Sequence, residues 1–418
     1  MPENRMNRGG GGSRVELPWS VPPALAEKPH GMRYGYVSMD PERRQPVLHE
    51  CNHEELEEKV GSGEALEVVV PEYKNLAPPS IVEGLWPAVQ KRERSRREKE
   101  RQNAIFNVCL FGGITIYSIK SADSAWQIVL MMFVLFGLVP LVQYLIGAVR
   151  RRLKGEETFE EMKERTLFAF WLGAGEVPAT RWCVRGLVAV FAVQVLAPAF
   201  NSQNLIGSTL QFLFVVSPQS IEAGALVKPL VREGEAWRLV TCGLLHGGLL
   251  HIGFNAMAFL NVGAVLERFY GRAILLLTFF LSVLGGSLAS QFLMPETSSL
   301  GASGGIMGLV GFLLVIGLRY RGELPADFAK SIVRSVLFMA ALGFLAKDYI
   351  DNAAHAGGFL VGCLIALPLV LHGDVRDLGR YNERSWLRAC GWAAAGILGL
   401  SAAWVVLRLL AVSGIVGS

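Results

Sequence analysis

From residue 104 onward the chain alternates long apolar runs with short polar loops. A helix needs roughly 17–25 apolar residues to cross the hydrocarbon core of a bilayer. The pattern predicts spans at 104–119, 126–149, 182–200, 249–267, 273–293, 302–318, 331–346, 353–371 and 387–410, the first marginal in length. Two further apolar pieces, 166–173 and 205–216, are too short to cross and are expected in the interface or a re-entrant loop. The chain before residue 91 differs in kind. Its polar, glycine-rich start reads as a disordered tail over 1–32. Strand-like pieces at 33–39 and 65–70, with an acidic helical piece at 54–59, predict a small soluble arm over 33–101. That arm closes on residues 91–101, where seven of eleven residues are basic. The expected order is then an arm, a two-span hairpin (102–150), a linker (151–180), a helical core (181–372) and one more span (373–418). The fold class is all-α, a polytopic membrane helix bundle.

Charge placement orients these spans. With the 91–101 run in the cytoplasm, the inner loops hold Lys and Arg over the outer loops by about five to one, and no loop conflicts. The expectation is a multi-pass protein with a cytoplasmic N-terminus, in a bacterial plasma membrane. Composition agrees: 18% of residues are charged, against ~25% in soluble domains. A net charge of +4 is too mild to point to nucleic acid. The six cysteines are scattered with no CxxC pair, so neither a disulfide framework nor a zinc finger is indicated.

Ionisable and polar groups inside an apolar span are costly and therefore candidates for function. His246, His251 and His355 lie at the outer ends of apolar segments, near Asn255 and Ser303. The spans beginning at 249, 302 and 353 are each separated by one intervening span. They must run parallel, from outside to inside, each with its polar residues in its first turns. At ~1.5 Å rise per residue, Ser303, His251, His355 and Asn255 fall in one layer just below the outer surface. His251 and Asn255 share a helix face at i, i+4. Gly358 and Gly362 line the stripe below His355, and Met307 and Gly311 lie below Ser303. Small residues let membrane helices approach closely enough for a Ser–His hydrogen bond.

The chemistry of such a layer is nucleophilic. A serine hydroxyl becomes a useful nucleophile when a neighbouring base takes its proton. A neutral imidazole can do so and return the proton to a leaving amine. The oxyanion then needs donors, which an Asn amide, a second His and backbone N–H groups can supply. Gly301 and Gly304 on both sides of Ser303 let a carbonyl approach the backbone. A metal site on His246, His251 and His355 is the rival. It finds no carboxylate or thiol in line and leaves the serine and asparagine unexplained. His49, Cys51 and His53 in the arm offer a second candidate ligand set. Asp348 and Asp351 precede His355 and either orient it as a third catalytic member or are acids of an outer loop.

Together these residues resemble the rhomboid family of intramembrane serine proteases. Trp237-Arg238 resembles the family's Trp-Arg pair in the first outer loop. His246-Gly-Gly-Leu-Leu-His251-Ile-Gly-Phe-Asn255 fits H-x4-H-x3-N, and Glu267 follows where the family commonly has a glutamate. Gly301-Ala-Ser303-Gly304 fits GxSG, and the stretch from Ala354 through His355 to Gly362 fits AHxxGxxxG. The matched stretch is about 230–372.

The resemblance implies a six-span core, here with a seventh span after it and an unusual hairpin before it. It implies Ser303 as nucleophile and His355 as base, in a dyad that requires no acid. His251, Asn255 and the Ser303 N–H would form the oxyanion hole. His246, Trp237, Arg238 and Glu267, with Gly301, Gly304, Gly358 and Gly362, would hold the framework. Substrates would be transmembrane proteins cut near the outer face, at small residues in helix-breaking segments. A helical peptide hides its carbonyls in its own hydrogen bonds and must unwind to be cut. No cofactor and no metal is implied, and the partners are membrane-protein substrates and the bilayer. One departure is Met307, where the family often has an aromatic under the catalytic histidine; a thioether can pack on an imidazole. The alternative function is a catalytically inactive rhomboid-like factor that binds or escorts membrane proteins. A transporter or channel would place more charge deep in several spans. Oligomeric state is not legible in the sequence.

Overall fold

The computed structural model describes residues 17, 19, 25–120, 133–200, 205–294, 298–345, 350–371 and 384–415. Of the expected tail over 1–32, residues 1–16, 18 and 20–24 lie outside the described residues, as do the start of the 126–149 span, Asp348 and the loop before the last span. The chain divides into two units, Met1–Ala174 and Gly175–Ser418.

The first unit is built on a three-stranded antiparallel sheet of β1 (Gly35–Met39), β2 (Pro46–Glu50) and β3 (Glu67–Val69), in the order β2-β1-β3. Strands β1 and β3 fall on the two predicted strand-like pieces. Strand β2 is an addition: its side chains are largely exposed, so no alternation of buried and solvated positions marks it. Helix α1 (His53–Ser62) covers the acidic piece. It starts at Asn52, whose side chain accepts the Glu55 N–H, and ends at Gly63 with φ 89°, a left-handed cap that glycine adopts without strain. Leu56, Val60, Val68, Ile81, Leu85 and Val89 close the core.

Helix α2 (Trp86–Lys120) joins the basic run and the first predicted span in one continuous helix. Its 35 residues make it about 50 Å long. After a π-helical turn at Phe133–Leu138 comes α3 (Val139–Lys154). The short apolar piece at 166–173 is the end of α4 (Phe159–Gly173), which opens with a capping box between Thr158 and Glu161. Within this unit Leu167 of α4 joins the core of the sheet module, and Thr166 and Ser80 share a hydroxyl hydrogen bond at 2.9 Å.

The second unit is helical. Its long helices are α5 (Pro178–Phe200), α10 (Leu249–Leu293), α11 (Ser303–Arg319), α12 (Phe328–Leu345), α13 (Asn352–Leu371) and α14 (Ser385–Val412). Between α5 and α10 lie short helices α6 (Leu205–Phe214), α7 (Pro218–Gly224), α8 (Lys228–Arg232) and α9 (Arg238–Thr241). Helix α10 holds two predicted spans, broken at Gly271 with φ 83°. The break falls within the predicted loop at 268–272, and glycine allows the chain to reverse there in one residue. Among the described residues, α5, α10, α13 and α14 are long and apolar enough to cross a membrane, and α11 is a shorter apolar helix. The protein is a multi-pass membrane protein of the helical-bundle class.

Helices α10, α11 and α13 form the centre, and glycine sets how close they come. A Cβ on Gly358 would overlap the Gly304 carbonyl, one on Gly362 the Gly308 carbonyl, and one on Gly311 the Phe359 carbonyl. Backbone meets backbone along this seam, as the small-residue stripe predicted. The second arm of α10 joins through Gly286, where a Cβ would lie 2.6 Å from the Ala354 carbonyl.

Candidate active site

Helix α11 begins at Ser303 and α13 at Asn352, so Ser303 and His355 each sit in a first turn. The glycine seam holds these turns side by side. Ser303 Oγ lies 2.8 Å from His355 Nε2, and both residues are half-buried. An imidazole at that distance can accept the hydroxyl proton. The residue at the N-cap of α11 is Ala302, which offers no side-chain cap, so first-turn N–H groups have no intrahelical partner.

His251 and Asn255 occupy the first turns of α10. The His251 Nδ1 accepts the Gly247 N–H at 3.1 Å. The other edge of its ring faces Gly301: a Cβ there would lie 2.8 Å from His251 Nε2 and 3.7 Å from Ser303 Oγ. Gly301 has φ 129°, so both its conformation and this contact require glycine. Asn255 is buried, and its Nδ2 donates to the His251 carbonyl at 3.0 Å. That bond engages one of the two amide protons.

The framework residues each have a definite task. His246 is fully buried, its ring edge-on to His251 at 5.2 Å between centroids, and its Nε2 accepts the Ala302 N–H at 3.5 Å. Arg238 is 1% exposed and gathers the loop between α6 and α10. Its guanidinium donates to the carbonyls of Ile221 at 3.0 Å, Ala225 at 2.9 Å and Glu222 at 2.9 Å, and pairs with Glu235. Trp237 stacks on that guanidinium at 4.6 Å and meets Trp404 of α14 edge-on. The loop so ordered pairs Leu226 with Ser299, and Cys242 accepts the Gly301 N–H at 2.8 Å. Arg238 thereby fixes the segment that delivers Ser303.

Glu267 lies at the far end of the first arm of α10. Its carboxylate accepts the N–H groups of Ala179 at 3.0 Å and Thr180 at 2.8 Å, and the Thr180 hydroxyl at 2.7 Å. An anion on the unpaired donors of a helix start is favourable, and it ties α5 to α10. Met307 is buried one turn below Ser303. Gly304, Gly358 and Gly362 are the seam itself.

Asp351 sits near the site without joining it. One oxygen accepts the Ala354 N–H at 2.8 Å and the other takes the Ser290 hydroxyl, so the carboxylate caps α13. Asp348 lies outside the described residues. In the first unit His49 Nε2 is 3.0 Å from Ser38 Oγ, its ring stacks on Tyr36, and His53 lies against Glu57. Among the described residues no three His, Cys, Asp or Glu side chains group as metal ligands. Sequence reading missed Gln194, a buried amide bonded to both backbone groups of His246. A lone polar residue in an apolar span was the available signal.

The family model of the Rhomboid domain matches residues 233–372, a stretch that contains Ser303, His355, His251 and Asn255. The chain is 36% identical to rhomboid protease GluP of Bacillus subtilis over 148 residues, 35% of this chain and 29% of the relative. It is 36% identical to RHOMBOID-like protein 5 of Arabidopsis thaliana over 158 residues, 37% of this chain and 50% of the relative. Rhomboid-like protease 3 of Toxoplasma gondii is 30% identical over 189 residues, 44% of this chain and 70% of the relative. The first two matches thus span half or less of the relative's length, while the third spans more than two thirds. With the motifs, the helical core and the relatives in agreement, the chain belongs to the rhomboid family.

Proposed function

We propose that this protein is an intramembrane serine endopeptidase that cuts transmembrane proteins near the outer membrane face. The observation that carries the reading is the 2.8 Å contact between Ser303 Oγ and His355 Nε2. As Ser303 Oγ attacks a peptide carbonyl, its proton passes to His355 Nε2. His251, Asn255 and the Ser303 N–H stabilise the oxyanion. His355 then gives the proton to the departing amine, leaving an acyl-enzyme. Water, deprotonated by the same imidazole, attacks the ester and returns Ser303 to its free form. The dyad needs no carboxylate, and the engagement of Asp351 with Ala354 and Ser290 supports that. Family membership and the likeness to the GluP and Toxoplasma proteases support proteolysis.

The same reading assigns the arm to the cytoplasmic side, on the basis of the basic inner loops, and takes the membrane to be a bacterial plasma membrane. It gives the division into arm, hairpin, linker, core and added span as the working domain order, and transmembrane proteins as partners. The test is a fluorophosphonate probe on the detergent-solubilised full chain, followed by cleavage of a reconstituted transmembrane substrate. Labelling of wild type that vanishes in Ser303→Ala and falls in His355→Ala is expected. Equal labelling in all three would remove Ser303 from the mechanism and favour a non-cutting escort.

A further inference from the structure

Gln194 lies within the apolar helix α5 and is 3% exposed. Burying a carboxamide there is costly unless both its ends are paired. A single residue pairs both. Gln194 Nε2 donates to the His246 carbonyl at 2.5 Å, and Gln194 Oε1 accepts the His246 N–H at 3.0 Å. The amide grips the backbone of His246 much as a neighbouring strand would, and so sets the direction of the next peptide unit. The N–H of that next residue, Gly247, reaches His251 Nδ1 at 3.1 Å.

A backbone N–H can only donate, so Nδ1 must present a lone pair. In a neutral imidazole the ring proton then sits on Nε2. That is the nitrogen facing Gly301, on the side of Ser303. The opposite tautomer would aim a lone pair at an anion forming there and would repel it. The two histidines therefore have complementary demands: His355 needs a lone pair on Nε2, while His251 needs a proton on its own.

We propose that Gln194 is a positioning residue: by holding the His246–Gly247 backbone it locks His251 as the Nε2–H tautomer and so makes it an oxyanion donor. The use of that donor rests on the protease reading, whereas the tautomer does not. The decisive experiment is long-range proton–nitrogen correlation spectroscopy of the full chain, labelled with nitrogen-15 histidine, at a pH where His251 is neutral. The His251 signals are assigned by their loss in His251→Gln. Wild type is expected to show a pyridine-type Nδ1 and a pyrrole-type Nε2. Gln194→Met, of similar volume but without the amide, is expected to populate the other tautomer and to lower kcat about tenfold with KM within about twofold. Gln194→Asn, too short to span both bonds, is expected to do the same and serves if the Met variant does not fold. A wild-type ring protonated on Nδ1 overturns the proposal. So does a folded Gln194 variant that keeps the wild-type tautomer. The expected tautomer in wild type, lost in the Gln194 variants, in a protein without proteolytic activity would support the lock and reject the protease reading.

Discussion

Asp351 binds the N–H of Ala354 at 2.8 Å, one residue short of His355, and its second oxygen is held by Ser290. The carboxylate therefore serves the start of the helix that carries His355 and not the imidazole ring. Asp351→Asn keeps one capping oxygen and is expected to cleave within about threefold of wild type. A triad acid replaced by its amide would cost about 10⁴ in kcat. Asp351→Ala loses the cap and should lower stability by about 1 kcal/mol. Cleavage rates and thermal unfolding of the three proteins check this.

Asn255 already spends one amide proton on the His251 carbonyl and has one left. If that proton meets the oxyanion, Asn255→Ala slows cleavage by about 10²–10³ with little change in KM. A rate within twofold of wild type would reject the role.

Gly362 lets α13 touch the backbone of α11 at Gly308, and a methyl group has no room there. Gly362→Ala is expected to cost about 1–3 kcal/mol by overpacking and to lower activity as the dyad parts. Gly399 in α14 has open space around its missing Cβ. Gly399→Ala should stabilise by about 0.5–1 kcal/mol through helix propensity alone. Opposite shifts in unfolding midpoint are the readout.

Glu267 accepts three hydrogen bonds from the first turn of α5. In Glu267→Gln one oxygen becomes a donor facing other donors. A loss of about 1–3 kcal/mol is expected, with kcat per folded molecule within about twofold.

Arg238 spreads its guanidinium over three carbonyls and a carboxylate. Lysine has one compact ammonium and no such fork. Arg238→Lys is expected to leave at least one buried carbonyl unpaired, loosening the Leu226–Ser299 pairing. Faster proteolytic nicking of the loop between α6 and α10 by trypsin, with reduced probe labelling at Ser303, is the expected outcome.

Much of this was legible along the chain because membrane helices write their length and polarity locally. The spans at 182–200, 302–318 and 353–371 match α5, α11 and α13 closely, since each stands between polar residues that cannot enter lipid cheaply. The break at Gly271 was visible as a short basic loop. Strand β2 was not legible, because an edge strand with exposed side chains carries no alternation. The continuity of α2 was also hidden: a change of polarity looks like a boundary, yet a helix backbone can cross it without a break.

Residue types and spacing alone placed Ser303, His251, Asn255 and His355 at one depth, because rise per residue and alternation of spans are one-dimensional quantities. The resemblance to the rhomboid family, and not spacing, marked Trp237, Arg238 and Glu267 as framework. What each polar atom touches was decided only by folding. Asp351 became a cap, Gln194 a clamp on His246, and His251 took the Gly247 N–H because helices remote in sequence met there. Depth is a property of a single helix, whereas rotation and hydrogen-bond partnership belong to pairs of helices, and the glycine seam that sets them exists only once α11 and α13 are in contact.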